Sequence, residues 1–190
     1  VKINKLYETF LLAQDVGFDY GLTFALRSSP KLGEFLADLN PEVSLDWSGQ
    51  SFWGLPELRQ RVIDTQSYDV PLEGVMACAG TQEANLLVIT QLVSAGDEVV
   101  IDRPSWPQPY ALCEAYGANI KVIDRRPERG WNIDLDELDH LVTPATKLIY
   151  LNSPNNPTGA TFSHEDMKAI CDIARKNDVY LLSDEVYRGL

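Results

Sequence analysis

The sequence predicts an α/β fold, a mostly parallel sheet flanked by helices, and three observations predict it. Short β-rich runs alternate with helical segments from about residue 56 onward, which is the pattern of parallel α/β construction. Most of these runs are apolar almost throughout, as strands covered by helices on both faces must be. The segments between them carry helix punctuation: Pro56 just inside a start after Gly54, Gly96 after residues 82–95 and Gly117 after residues 107–116.

Taken in order, LYETFLLAQDV (6–16) reads as a helix. The stretch RSSPKLGEFLADLNPEVSLDWSGQSFWG (27–54) mixes turn residues with aromatics and is expected to wrap the surface or the mouth of a site. Residues 1–50 are therefore read as an N-terminal arm and substrate-mouth segment, and residues 51–190 as the main domain. The expected strands are VMACA (75–79), EVVID (98–102), NIKVI (119–123), KLIYL (147–151) and VYLLS (179–183). Ser163 followed by Asp166 makes a capping-box-like start, with an acidic first turn, for a helix running to about Asn177.

Length and composition bound the function. A chain of 190 residues with 45% hydrophobic side chains can bury the core of one domain. A formal net charge of -12 argues against a nucleic-acid or membrane-surface partner. Cys78, Cys113 and Cys171 lie far apart within apolar stretches and form no CxxC pair, so neither a metal site nor a disulfide framework is indicated. No apolar run approaches the ~20 residues that span a bilayer, and VKINKLYETF lacks the apolar core of a signal peptide. The expectation is a cytoplasmic protein.

Parallel α/β sheets bind ligands at the carboxyl ends of their strands, and four loops expected there carry unusual residues. In AGTQEA (79–84), Gly80 and Thr81 open a helix whose first N–H groups form a ready phosphate site, or make an ordinary glycine turn with a threonine cap. In RPSWPQPY (103–110), Trp106 is held between Pro104 and Pro107 and either stacks on a planar ring or packs under its loop. In NSPNNPTG (152–159), two prolines restrict the residues before them and set the direction of Asn156, more restriction than a plain turn needs. In DEVYRG (184–189), Asp184 follows an apolar strand, so its carboxylate is expected near the sheet with a partner; the alternative is a helix cap. Tyr187 lies three residues on, within reach of the same face.

Together and in this order, GLPELRQRV (54–62), AGTQEAN (79–85), GDEVVIDRPSWPQPY (96–110), SPNNPTG (153–159) and SDEVY (183–187) resemble the large domain of the class I/II aminotransferases, fold-type I pyridoxal phosphate enzymes. The resemblance runs from roughly residue 45 to the end, and implies a homodimer that moves an amino group between an L-amino acid and a 2-oxo acid. It makes residues 51–190 a cofactor-binding large domain, incomplete at its C-terminal side. By the resemblance, Asp184 pairs with the pyridine nitrogen of pyridoxal 5'-phosphate and raises its pKa. Asn156 and Tyr187 donate to the ring oxygen, Trp106 stacks on the ring face, and Gly80, Thr81 and Gln82 receive the phosphate on the helix start.

Two departures accompany the resemblance. The family's Schiff-base lysine lies beyond Leu190, and Lys121, Lys147, Lys168 and Lys176 occupy no matching position, so these 190 residues alone are expected not to transaminate. In DWSGQSFWG (46–54), where relatives place a tyrosine reaching the neighbouring subunit's phosphate, the aromatics are Trp47, Phe52 and Trp53. The same motif set also serves C–S lyases, decarboxylases and amino-acid cyclases, and a non-catalytic remnant that keeps the cradle is the alternative from another class.

Overall fold

A computed structural model describes residues 17, 31–37, 39–42, 44 and 51–189. The helix expected over 6–16 and the aromatic Trp47 lie outside the described residues. Two compact units are present, one within residues 18–79 and one carried by residues 80–190.

In the second unit the described elements run α3 (Thr81–Leu92), β1 (Glu98–Arg103), α4 (Gln108–Ala115), β2 (Asn119–Asp124), α5 (Leu135–Leu141), β3 (Thr146–Asn152), α6 (His164–Lys176) and β4 (Tyr180–Asp184). The four strands form one parallel sheet in the order β2-β1-β3-β4. β1 and β3 are central, and this is why their residues are apolar on both faces. Alternation along them feeds two cores. Val100, Ile149 and Leu151 pack with Leu138 of α5 and Ile170 of α6. Val99, Ile101, Leu148 and Tyr150 pack with Ile89 of α3 and Cys113 of α4.

Helix ends follow local chemistry. The Ser163 hydroxyl accepts from the N–H of Asp166, whose carboxylate accepts from the N–H of Ser163, so both halves of the expected capping box form. Glu165 and Asp166 open α6 and Arg175 and Lys176 close it, each sign at the dipole end that favours it. α5 was not anticipated from the sequence. Asp134 caps it, accepting from the N–H groups of Asp136 and Glu137, and Ile133 before the cap shares a core with Leu138 inside it, the arrangement of a hydrophobic staple.

The first unit contains α1 (Leu32–Leu36), α2 (Pro56–Asp64) and a 3₁₀ turn (Leu72–Gly74). Here one expectation fails: VMACA (75–79) is not a strand. Two of its polar backbone groups have other partners, the carbonyl of Val75 in Arg59 Nε at 2.8 Å and the N–H of Ala77 in the carbonyl of Trp53 at 2.8 Å. With no strand beside it among the described residues, this β-prone run has no ladder to join. Arg59 is itself buried and also donates to the carbonyl of Leu72, tying α2 to the 3₁₀ turn. Gly54 has φ +103° and a Cβ there would stand 2.6 Å from Cβ of Ala77, so this start to α2 requires glycine.

Among the described residues no helix is long and apolar enough to cross a membrane, and no group of three metal-ligating side chains occurs.

Candidate functional site

The carboxyl ends of β3 and β4 and the start of α3 enclose a cavity of about 210 Å³. One wall is the start of a helix. Gly80 precedes α3 with φ +89°, and its carbonyl accepts from the N–H groups of Glu83 and Ala84. Glycine offers no capping side chain, and the helical pattern provides the N–H groups of Thr81 and Gln82 with no partner of their own. Thr81 and Gln82 line the cavity. Because 75–79 is not a strand, this loop joins an irregular segment to a helix rather than a strand to a helix.

The opposite wall is made of side chains. Asp184 ends β4 and is 4% exposed. Its Oδ2 accepts from Asn85 Nδ2 at 2.9 Å and from the Tyr150 hydroxyl at 2.8 Å, and its Oδ1 from the N–H of Val186 at 3.2 Å. Beyond Asp184 the chain makes a turn rather than the helix of the alternative reading. That turn brings Tyr187 back to the cavity, where its hydroxyl accepts from Asn156 Nδ2 at 3.2 Å. Trp106 lines a further side, next to Gln108, whose Nε2 donates to the carbonyl of Gln82 at 2.7 Å.

Asn156 is held by more than its flanking prolines. Both Ser153–Pro154 and Asn156–Pro157 are cis. The N–H of Asn156 donates to Asn152 Oδ1 at 2.6 Å, and Asn152 Nδ2 donates to the carbonyl of Asp184 at 3.0 Å. Asn155 Nδ2 reaches the carbonyl of Pro104 at 3.1 Å, while its Oδ1 accepts from the N–H and hydroxyl of Thr158. The NNPTG loop is thus tied both to β4 and to the loop that carries Trp106.

Behind this wall lies a buried ion pair. Arg125 Nε donates to Asp102 Oδ2 at 2.6 Å, and both side chains are fully buried. Arg125 Nη2 donates to the carbonyl of Asn152 at 2.8 Å and Nη1 to that of Trp131 at 3.1 Å, with the guanidinium over the Phe162 ring. Burial pushes the Asp102 carboxyl above the usual carboxylate range, with Arg125 opposing. Burial, followed by the charge of Asp184, raises the Tyr150 phenol far above its ordinary value, so Tyr150 stays a donor.

Of the seven residues singled out in the sequence, Thr81, Gln82, Trp106, Asn156, Asp184 and Tyr187 line this one cavity, and Gly80 precedes them without lining it. Sequence reading missed Asn85, Gln108 and Asn152, which also line it, and Tyr150, which sits beneath Asp184. The signal for Asn85 is a carboxamide one turn beyond Thr81, followed by the apolar run LLVI. Tyr150 carries no such signal, because a tyrosine in an apolar strand reads as core.

The donor set suits an aromatic phosphate ester with a basic ring nitrogen: uncapped helix N–H groups at one end, a buried carboxylate at the other, an amide–phenol pair between and an indole beside them. Comparison with known proteins agrees. The family model for class I and II aminotransferases matches residues 48–190. A probable aspartate aminotransferase of Methanocaldococcus jannaschii is 38% identical over 138 residues, covering 70% of this chain and 36% of that protein. An arginine–pyruvate transaminase of Pseudomonas aeruginosa is 33% identical over 141 residues, 72% of this chain and 36% of that protein. A solved pyridoxal phosphate-dependent aminotransferase from Streptococcus suis superposes with a TM-score of 0.76 at 32% identity, over 83% of this chain and 44% of its own. The chain spans about a third of the length of the curated relatives it matches. Parallel sheet, flanking helices and matched residues agree: the chain belongs to the class I and II aminotransferases, the fold-type I family whose cofactor is pyridoxal 5'-phosphate.

Proposed function

We propose that this chain is the cofactor-binding large domain, over residues 51–190, of a homodimeric, cytoplasmic enzyme that transfers an amino group between an L-amino acid and a 2-oxo acid. The observation that carries the reading is one cavity with an uncapped helix start at one end and the buried Asp184 carboxylate at the other. When bound, pyridoxal phosphate supplies an electron sink for the electron pair left at the substrate Cα. The residues of this chain hold and orient it. The N–H groups of Thr81 and Gln82, with the Thr81 hydroxyl, take the phosphate on the positive end of α3. Asp184 takes the ring nitrogen and keeps its proton in place. Asn156 and Tyr187 donate to the ring oxygen, and Trp106 covers one ring face and excludes water there.

A second reading concerns the 190 residues by themselves. Among the described residues no lysine lines the cavity: Lys121 pairs with Glu98, Lys168 with Asp172 and Lys176 with Asp139, while Lys147 lies over the Tyr180 ring. We therefore infer non-covalent cofactor binding and no amino transfer by this chain alone. Incubation with pyridoxal phosphate followed by borohydride and peptide mapping tests this. The expected result is no stoichiometric adduct at a single lysine, and one such adduct would overturn it. The broader reading is tested on the protein that carries this chain, by following conversion of a 2-oxo acid to its amino acid across a panel of L-amino acid donors. Release of ammonia or carbon dioxide without amino transfer would move the assignment to a lyase or decarboxylase of the same fold.

A further inference from the structure

We propose that Asn85 and Tyr150 are positioning residues that aim the Asp184 carboxylate, so that its Oδ1 is the atom meeting the ring nitrogen of the cofactor. This rests on the reading of the cavity as a pyridoxal phosphate cradle and deepens it.

Each carboxylate oxygen has about two acceptor sites. Oδ2 of Asp184 already receives two donors, Asn85 Nδ2 at 2.9 Å and the Tyr150 hydroxyl at 2.8 Å. Oδ1 receives the N–H of Val186 at 3.2 Å, a longer bond, and has a site to spare. Asp184 lines the cavity, so a ligand N–H approaching it finds Oδ1 available and Oδ2 filled. Both donors are well placed to hold this geometry. Tyr150 is fully buried in the central strand β3, and its raised phenol keeps its proton. Asn85 is 2% exposed and lies on α3, one turn beyond Thr81.

That shared helix gives Asn85 a second consequence. The backbone that offers its N–H groups to the phosphate and the amide that grips the carboxylate belong to one rigid element. The Asn85–Asp184 bond, joining residues 99 apart in sequence, therefore sets the span between the two ends of the cradle. A carboxylate free to rotate would lose both the choice of oxygen and that span.

The test uses the whole 190-residue chain and pyridoxine 5'-phosphate labelled with ¹⁵N in the ring. This ligand has no aldehyde and cannot react with lysine. At saturation and neutral pH, the wild-type chain is expected to show a ring nitrogen in the protonated range. Tyr150→Phe and Asn85→Ala should each shift that signal toward unprotonated pyridine and weaken binding about tenfold. The chemical shift is read only on bound ligand in folded protein, so a role confined to stability would leave it unmoved. If Asn85→Ala fails to fold by circular dichroism, Tyr150→Phe, which deletes one oxygen atom, carries the test. A bound signal unchanged from wild type in Tyr150→Phe overturns the inference while leaving the cradle reading intact. Absence of saturable binding to the wild-type chain overturns both.

Discussion

At the α3 end the cavity meets the uncapped start of a helix, and at the β3–β4 end it meets side chains that rest on others behind them. In the proposed reading Thr81 and Gln82 act mainly through backbone N–H groups, which most residues could supply once Gly80 permits φ +89° before the helix. Asp184, Asn156 and Tyr187, in the same reading, act through particular side-chain atoms. Those atoms are fixed by Asn85, Tyr150 and Asn152, and Asn152 is fixed in turn by Arg125. A backbone wall is cheap to specify and tolerant of side-chain change. A side-chain wall needs layers, and its tolerance falls with depth.

That contrast can be broken from its deepest layer outward. Arg125→Met leaves the Asp102 carboxylate buried without its cation and the carbonyl of Asn152 without its donor, and should cost about 3–5 kcal/mol in urea denaturation. Adding Asp102→Leu to Arg125→Met should recover much of that loss, because an apolar pair removes the unpaired charge. On the backbone wall, Gly80→Ala meets no atom within 4 Å but must hold a glycine-only conformation, costing about 1–3 kcal/mol by the same measurement. Leu or Ser at position 82 should leave stability and pyridoxine 5'-phosphate affinity within about twofold, since the proposed reading uses only the backbone of Gln82.

Asn156→Ala removes the donor to Tyr187 and should weaken pyridoxine 5'-phosphate binding about tenfold with little loss of stability, measured by titration and thermal melting. A further small effect lies far from the cavity. The N–H of Glu137, with Arg129 and Arg126 helping, holds the Asp134 carboxyl below its ordinary value of 3.8. Its contribution is present above that value and lost as pH falls through the lower folded one. Asp134→Asn should therefore flatten the decline of the thermal midpoint below pH 3.8.

What could be read in the sequence divides along the same line. Central strands and α6 were legible, because apolar runs and the Ser163–Asp166 box are local signals. VMACA misled, since β-propensity reports side-chain fit to a pleated surface and says nothing about a pairing partner. Resemblance singled out six of the residues that line the cavity. The layer behind them was not visible. Arg125 and Asp102 are 23 positions apart and Asn85 and Asp184 are 99 apart, and no local pattern announces a hydrogen bond across such separations. Tyr150 sits inside a run that reads as core and Asn152 opens the loop expected after it, and only the parallel register of β3 with β4 brings both to Asp184.

Titration of this chain with pyridoxine 5'-phosphate, wild type against Asp184→Ala, tests the central claim most directly. The account predicts one saturable site in the wild type that is lost in Asp184→Ala, while the variant's circular dichroism still reports the α/β fold. Equal affinity in the two chains, or no saturable site in either, would contradict it.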